Sequence, residues 1–96
     1  MKIYILDYVS QCQTNDDGEK IFNIIYPYIK RHKDITLSFK GVTSIPSSFV
    51  NSAFIALLDY APFDDIKRHL KFSDTNSQMN SMIKERFSFE IKKHKT

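Results

Sequence analysis

The stretch from Ile35 to Ala61 limits the possible folds more than any other part of the chain. A short apolar run, Ile35-Thr36-Leu37-Ser38-Phe39, has the length and branched side chains of a strand and stops at Lys40-Gly41, a tight-turn pair. A hydroxyl-rich loop follows, Thr43-Ser44-Ile45-Pro46, and Ser47-Ser48 then opens a strongly patterned helix. Phe49, Ala53, Leu57 and Ala61 recur every four residues, with Val50, Phe54 and Leu58 beside them, giving one broad apolar stripe. A helix this apolar packs against a sheet. Its first turn differs, because Ser47 and Ser48 stand where orphan backbone N–H groups and the positive end of the helix dipole face outward.

The flanking segments complete an alternating pattern. Lys2 to Val9 is apolar on both faces, with Ile3, Ile5 and Val9 on one and Tyr4, Leu6 and Tyr8 on the other, which predicts a central strand covered by helices. Asp16-x-x-Glu19 reads as a capping-box start to a helix whose core stripe is Ile21, Ile24, Ile25, Tyr28 and Ile29. Pro27 removes a helical bond and predicts a kink near Asn23–Tyr26 or a break into two helices. Pro62 stops the central stripe, Phe63–Ile66 starts a short helical turn, and Leu70-Lys71-Phe72-Ser73 reads as a third strand. Thr75-x-x-Gln78 is a second capping-box pattern, opening a last helix with Met79, Met82, Ile83, Phe87 and Ile91 facing inward. Strand and helix in alternation predict an α/β fold: a small parallel or mixed sheet of three to four strands, three main helices and right-handed crossovers.

Ninety-six residues make one domain, 1–96, with a single modest core. The lone Cys12 rules out an intrachain disulfide, Met1-Lys2 leads into only a short apolar stretch, and no run nears the roughly 20 apolar residues that span a bilayer. The expectation is a cytoplasmic protein with no membrane association. The net charge of +3 gathers in Lys30-Arg31-His32-Lys33 and Lys92-Lys93-His94-Lys95. Both lie at expected helix C-termini, where cations are favoured, so they read either as solvated helix ends or as a nucleic-acid surface.

Few residue sets carry chemistry. His32, His69 and His94 have no metal-like spacing and sit at helix ends among lysines, which suits a solvated role. Asp16-Asp17 and Asp64-Asp65 fall at helix starts, where carboxylates complement the dipole. Cys12 lies in a polar loop without an adjacent cation to activate it. No nucleophile–base pair, metal set or cofactor motif can be assembled, so an enzyme is not expected and no cofactor is assigned. What remains is Ser44, Ser47 and Ser48. Either Ser47 or Ser48 is the N-cap, holding an amide at about 1 kcal/mol, or the hydroxyls face a partner. Phe22, Tyr26 and Phe63, less obviously buried than the other aromatics, are further candidates for a partner surface.

The series Leu37-x-Phe39-x-Gly41-Val42-x-x-Ile45-x-Ser47-Ser48-Phe49, followed by the apolar helix, resembles the STAS-like family of small bacterial and phage-borne domains. That family is itself similar to the STAS domains of anti-sigma factor antagonists. Gly18, the Leu70-Lys71-Phe72 strand and Asn76 extend the resemblance from about Thr14 onward. It implies a single STAS-like domain and a non-enzymatic regulatory role in which the chain binds a GHKL-type ATPase or kinase. In the antagonists that partner phosphorylates a serine at this helix start; the counterpart is Ser48, with Ser47 the near alternative. The implied partner surface is Ser44, Pro46, Ser47, Ser48, Asn51, Ser52, Ile55 and Asp59. Three positions depart from the antagonist pattern: Pro46 stands where Asp precedes the serines, Phe49 where Gly follows, and Ser38 where many relatives carry Asp. The other reading is a nucleic-acid-binding regulator that uses the basic helix ends.

Overall fold

The computed structural model describes residues 1–94, with side chains through Lys92. Three strands, β1 (Lys2–Tyr4), β2 (Ile35–Ser38) and β3 (Leu70–Ser73), form a wholly parallel sheet in the order β1-β2-β3. The first crossover contains α1 (Asn15–Lys30). The second contains α2 (Ser47–Ala53), a 3₁₀ helix (Ile55–Asp59) and α3 (Phe63–His69), and α4 (Ser77–His94) follows β3. Among the described residues there are thus four α-helices: the three main ones expected and the short one that begins at Phe63. No helix among the described residues is long and apolar enough to cross a membrane.

Register sorts the sheet into two unlike faces. Ile3, Leu37 and Phe72 lie in one row and Ile35 and Leu70 in the next; these join the helix residues in the core. The alternate rows, Lys2–Thr36–Lys71 and Tyr4–Ser38–Ser73, form the other face, where Lys2, Tyr4 and Lys71 are exposed. The helices contact one another on the apolar side, so the molecule has two layers.

This corrects the expectation for the first segment. The strand ends at Tyr4 instead of Val9, the chain tightens into a 3₁₀ turn at Ile5–Asp7, and β1 is an edge with β2 in the centre. Ile3, Ile5 and Val9 are buried, whereas Tyr4, Leu6 and Tyr8 lie at the surface. The cause lies in the neighbour: beyond Ser38 the Val42 N–H donates to the Phe39 carbonyl at 2.8 Å, turning β2 away and leaving β1 nothing to pair with. Gly41 has φ +88° in that turn, a conformation glycine adopts without steric penalty.

In α1 the capping box is Thr14 with Asp17, two residues ahead of the expected Asp16–Glu19 pair. The helix runs unbroken past Pro27, so the two-helix alternative does not occur. Asn23 and Pro27 are both exposed, so the break in the hydrogen-bond ladder falls on the helix's solvent side, where it costs least. The helix ends in a Schellman motif: His32 takes φ 58°, the His32 N–H donates to Ile29 and the Lys33 N–H to Tyr28. Ile21, Ile25 and Ile29 are fully buried, with Ile24 and Tyr28 half-buried beside them.

The central helix is shorter than its stripe. It is α-helical only to Ala53; Phe54 is its C-cap, at φ −118°, and the 3₁₀ helix carries the chain to Asp59. Both helix types keep residues three apart close to one side, so Phe54 and Leu57 stay inward across the change of winding. Phe49, Val50, Ala53, Phe54 and Leu57 are all fully buried, with Leu58 and Ala61 half-buried at the margin. Phe54 stands at the centre of an aromatic cluster, its ring 5.2 Å from that of Phe72, 6.0 Å from Phe49 and 6.5 Å from Phe39. Gly18 brings α1 close to α2: a Cβ there would lie 2.7 Å from the Ser52 Cβ and 2.8 Å from the Phe49 carbonyl oxygen.

The last helix starts differently from the Thr75–Gln78 expectation. Asn76 caps it, its Oδ1 accepting from the Met79 N–H at 3.0 Å, and Gln78 is occupied elsewhere. Met79, Ile83 and Phe87 are buried, with Met82 and Ile91 half-buried, as the inward stripe requires.

Candidate functional site

The loop before α2 is held from behind by the start of α4. The Gln78 side chain pairs with both backbone groups of Ile45: its Oε1 accepts from the Ile45 N–H at 3.0 Å and its Nε2 donates to the Ile45 carbonyl at 3.0 Å. Asn76 Nδ2 donates to the Thr43 carbonyl at 2.7 Å. With the Ile45 side chain buried as well, the approach of the chain to Pro46 is fixed by hydrogen bonds and packing together.

The N-cap of α2 is Pro46, which offers no side-chain acceptor, and no acidic residue lies in the first turn. The reading of Ser47 or Ser48 as an N-cap is thereby overturned. Ser44 and Ser47 are exposed, and Pro46 and Ser48 are half-buried. The Ser48 hydroxyl donates to the Gln13 carbonyl across 3.5 Å, a long and weak contact. Farther along α2, Asn51 is exposed and its Oδ1 accepts from Arg86 Nε at 2.8 Å; Arg86 also pairs with Glu90 at 3.0 Å. Ser52 donates to Asn15 Oδ1 at 3.2 Å. Ser47, Ser48, Asn51 and Ser52 thus share the outward side of α2, bounded by the start of α1 on one flank and α4 on the other. Ile55 and Asp59 lie past the helix end, half-buried and exposed respectively.

Gln13 links this face to the cap of α1. Its carbonyl meets Ser48, while its N–H donates to Asp17 Oδ2 at 3.2 Å, beside the Thr14 N–H at the same distance. Removal from water works to raise the Asp17 carboxyl. The Gln13 and Thr14 amides, the Thr14 hydroxyl and the charge of Lys20 outweigh it, holding the group below the usual carboxylate range. Cys12, expected in an open polar loop, is instead buried, and burial together with the Asp17 charge pushes its thiol up to about 12. Such a thiol stays protonated and unreactive at neutral pH.

A carboxylate reaches Ser38 from a distant part of the chain. Ser38 is fully buried; its hydroxyl donates to Asp74 Oδ2 at 2.5 Å and accepts from the Lys40 N–H at 3.2 Å. The Ser38 hydroxyl, with help from the charges of Lys2 and Lys40, holds the Asp74 carboxyl below its ordinary range. Asp74 takes φ 57° to make this contact.

The remaining candidates fall apart in space. His69 is not a solvated helix end: its Nδ1 lies 2.9 Å from Asp34 Oδ1 and its ring 5.8 Å from that of His32. Phe22 and Tyr26 stack at 5.5 Å under Tyr60, and Phe63 packs 5.3 Å from Phe87. Of the two basic runs, Lys30 to Lys33 is exposed, while the side chains of Lys93, His94 and Lys95 lie outside the described residues. Sequence reasoning missed Gln13, Asn15, Gln78 and Arg86 as neighbours of the serine turn. Each is an ordinary surface amide or guanidinium in the sequence, and no local signal marks it.

A family model described as a STAS-like domain of unknown function matches residues 17–80, a span from the first turn of α1 to the first turn of α4 that includes the whole serine face. No curated protein and no solved structure matches.

Proposed function

The chain belongs to the STAS-like family, and from that premise we propose that it is a non-enzymatic regulatory module that binds a partner protein through the outward side of α2 and the turn before it. The partner is a GHKL-type ATPase or kinase, and phosphorylation of Ser48 switches the contact off. One observation carries the reading: α2 opens with no side-chain cap and no carboxylate, yet with a half-exposed serine whose hydroxyl makes only a long bond. Negative charge placed there meets unpaired amides and the positive end of the helix dipole. The same charge in a protein–protein contact brings desolvation and like-charge repulsion.

The test pairs Ser48→Asp with Ser48→Ala in titrations against a GHKL-type ATPase from the same genome, with thermal melts run alongside. Ser48→Ala binds like the parent; Ser48→Asp stays folded and loses at least about tenfold in affinity. Equal binding by the two variants defeats the switch. The competing nucleic-acid reading rests on the exposed Lys30–Lys33 run. It predicts duplex DNA binding that falls steeply between about 50 and 200 mM salt, and it gains if DNA binds and the ATPase does not.

A further inference from the structure

One side of the sheet ends at β3, whose outer edge has no strand beside it among the described residues. Backbone groups in a parallel ladder point alternately to the two sides. The Phe39 N–H donates to the Ser73 carbonyl at 3.0 Å, so Ser73 and Lys71 address β2, and Leu70 and Phe72 address the open edge. The Leu70 N–H is taken by the Ile66 carbonyl at the end of α3. The Leu70 carbonyl and both backbone groups of Phe72 are left pointing outward.

Beneath this edge a groove of about 460 Å³ runs between α3 and α4, with β3 as its third wall. Phe63, Ile66, Phe87 and Ile91 line it, along with Leu70 and Phe72. Its charged lining is Lys67 and Lys84, and no Asp or Glu contributes. Lys67, Lys71 and Lys84 are all exposed and outside the ion pairs of the described residues; the Lys71 ammonium donates to the Lys67 carbonyl at 3.2 Å.

We propose that this edge and groove take an extended, acidic–apolar segment of a partner protein as a fourth strand of the sheet. Alternation dictates the ligand. A strand laid along β3 places every second side chain beside Leu70 and Phe72, over the groove, and these are apolar. The others fall beside Lys71 on the opposite face, and these are Asp or Glu. A second copy of the chain is the wrong occupant, since pairing β3 with β3 sets Lys67, Lys71 and Lys84 against themselves. Edge lysines discourage self-association in just this way while leaving the edge open to an acidic strand. Arg86, which ties α4 to the serine face, is not part of the groove, so this surface stands or falls apart from the Ser48 reading.

The experiment titrates the ¹⁵N-labelled full chain with the peptide acetyl-Val-Glu-Val-Asp-Val-Glu-amide. Affinity is read by fluorescence polarisation of a labelled copy, and amide exchange by NMR. Saturable binding is expected, with the Phe72 amide slowed in exchange and the Val-Lys-Val-Lys-Val-Lys counterpart inactive. The double variant Lys71→Glu/Lys84→Glu, altered only at exposed positions and checked by its melt, weakens binding about tenfold or more. The proposal is overturned if the acidic peptide fails to bind, binds without slowing Phe72, or is indifferent to the double variant. It is overturned equally if decanoate alone fills the groove, or if a dimer protects the Phe72 amide before any peptide is added.

Discussion

At the start of α1, Thr14 accepts from the Asp17 N–H at 3.1 Å while Asp17 accepts in return from the Thr14 and Gln13 amides. At the start of α2, no side chain bonds an amide of the first turn. The first arrangement is local and belongs to the sequence around it. The second has to be supplied from a distance, because seven residues do not hold a helix in water unaided. What holds α2 is burial of Phe49, Val50 and Ala53 and the close seam at Gly18. A helix kept in place by its inner side has its outer first turn free for other use, and α2 carries its serines there.

The largest disruption of this contrast is expected from Phe54→Ala, which empties the aromatic cluster beneath α2. The loss should be about 3–5 kcal/mol, close to the whole stability of a domain this size. An unchanged denaturant midpoint would mean that the stripe does not hold the helix. Gly18→Ala comes next. Alanine is the better helix former, yet its Cβ would lie 2.8 Å from a backbone oxygen of α2 that has little room to yield. A loss of about 1–3 kcal/mol is expected in urea melts, and a gain would show that the seam is loose.

Thr14→Ala attacks the other helix. It should cost about 1 kcal/mol at neutral pH through loss of the cap. Because the folded Asp17 pKa lies below its unfolded value, its contribution is present above about pH 3.9 and is lost as the pH falls through the folded pKa. The gap between parent and Thr14→Ala melts should therefore narrow in acid; a constant gap would detach Asp17 from the cap. The smallest effect is constructive. Ser47→Asp gives α2 the first-turn carboxylate it lacks and should add about 0.3–1 kcal/mol. No gain at all would mean that those amides already have good partners.

Features decided by near neighbours were legible in the sequence. Strand β3, strand β2 to within one residue, the short helix that follows Pro62 and the inward stripe of α4 depend on residues a few positions apart, and the structure has them where the pattern put them. β1 was misplaced because a short edge strand with aromatics on its open face has the same apolar run as a buried central strand. The end of α2 at Ala53 was hidden because α and 3₁₀ windings share the spacing that the stripe reports. The site itself was half visible. Its serines stand out in the sequence, but the groups that hold or border them, Gln78 at Ile45, Asn15 at Ser52 and Arg86 at Asn51, come from 33 to 37 residues away. The carboxylate beside Ser38 likewise arrives from Asp74, across a gap of 36 residues that no local pattern bridges.

The strand order also has a consequence in time. Lys2 lies opposite Thr36 and Ile35 opposite Leu70, so each ladder joins residues 34 or 35 positions apart and no two strands can pair as a hairpin. Every sheet bond waits for a complete crossover to close, which places such a chain among slower folders than a helical bundle of equal length. β2 belongs to both ladders, so whatever dislodges it dissolves the sheet as a whole. The outer edge of β3 therefore exists only once the second crossover has closed and set β3 against β2.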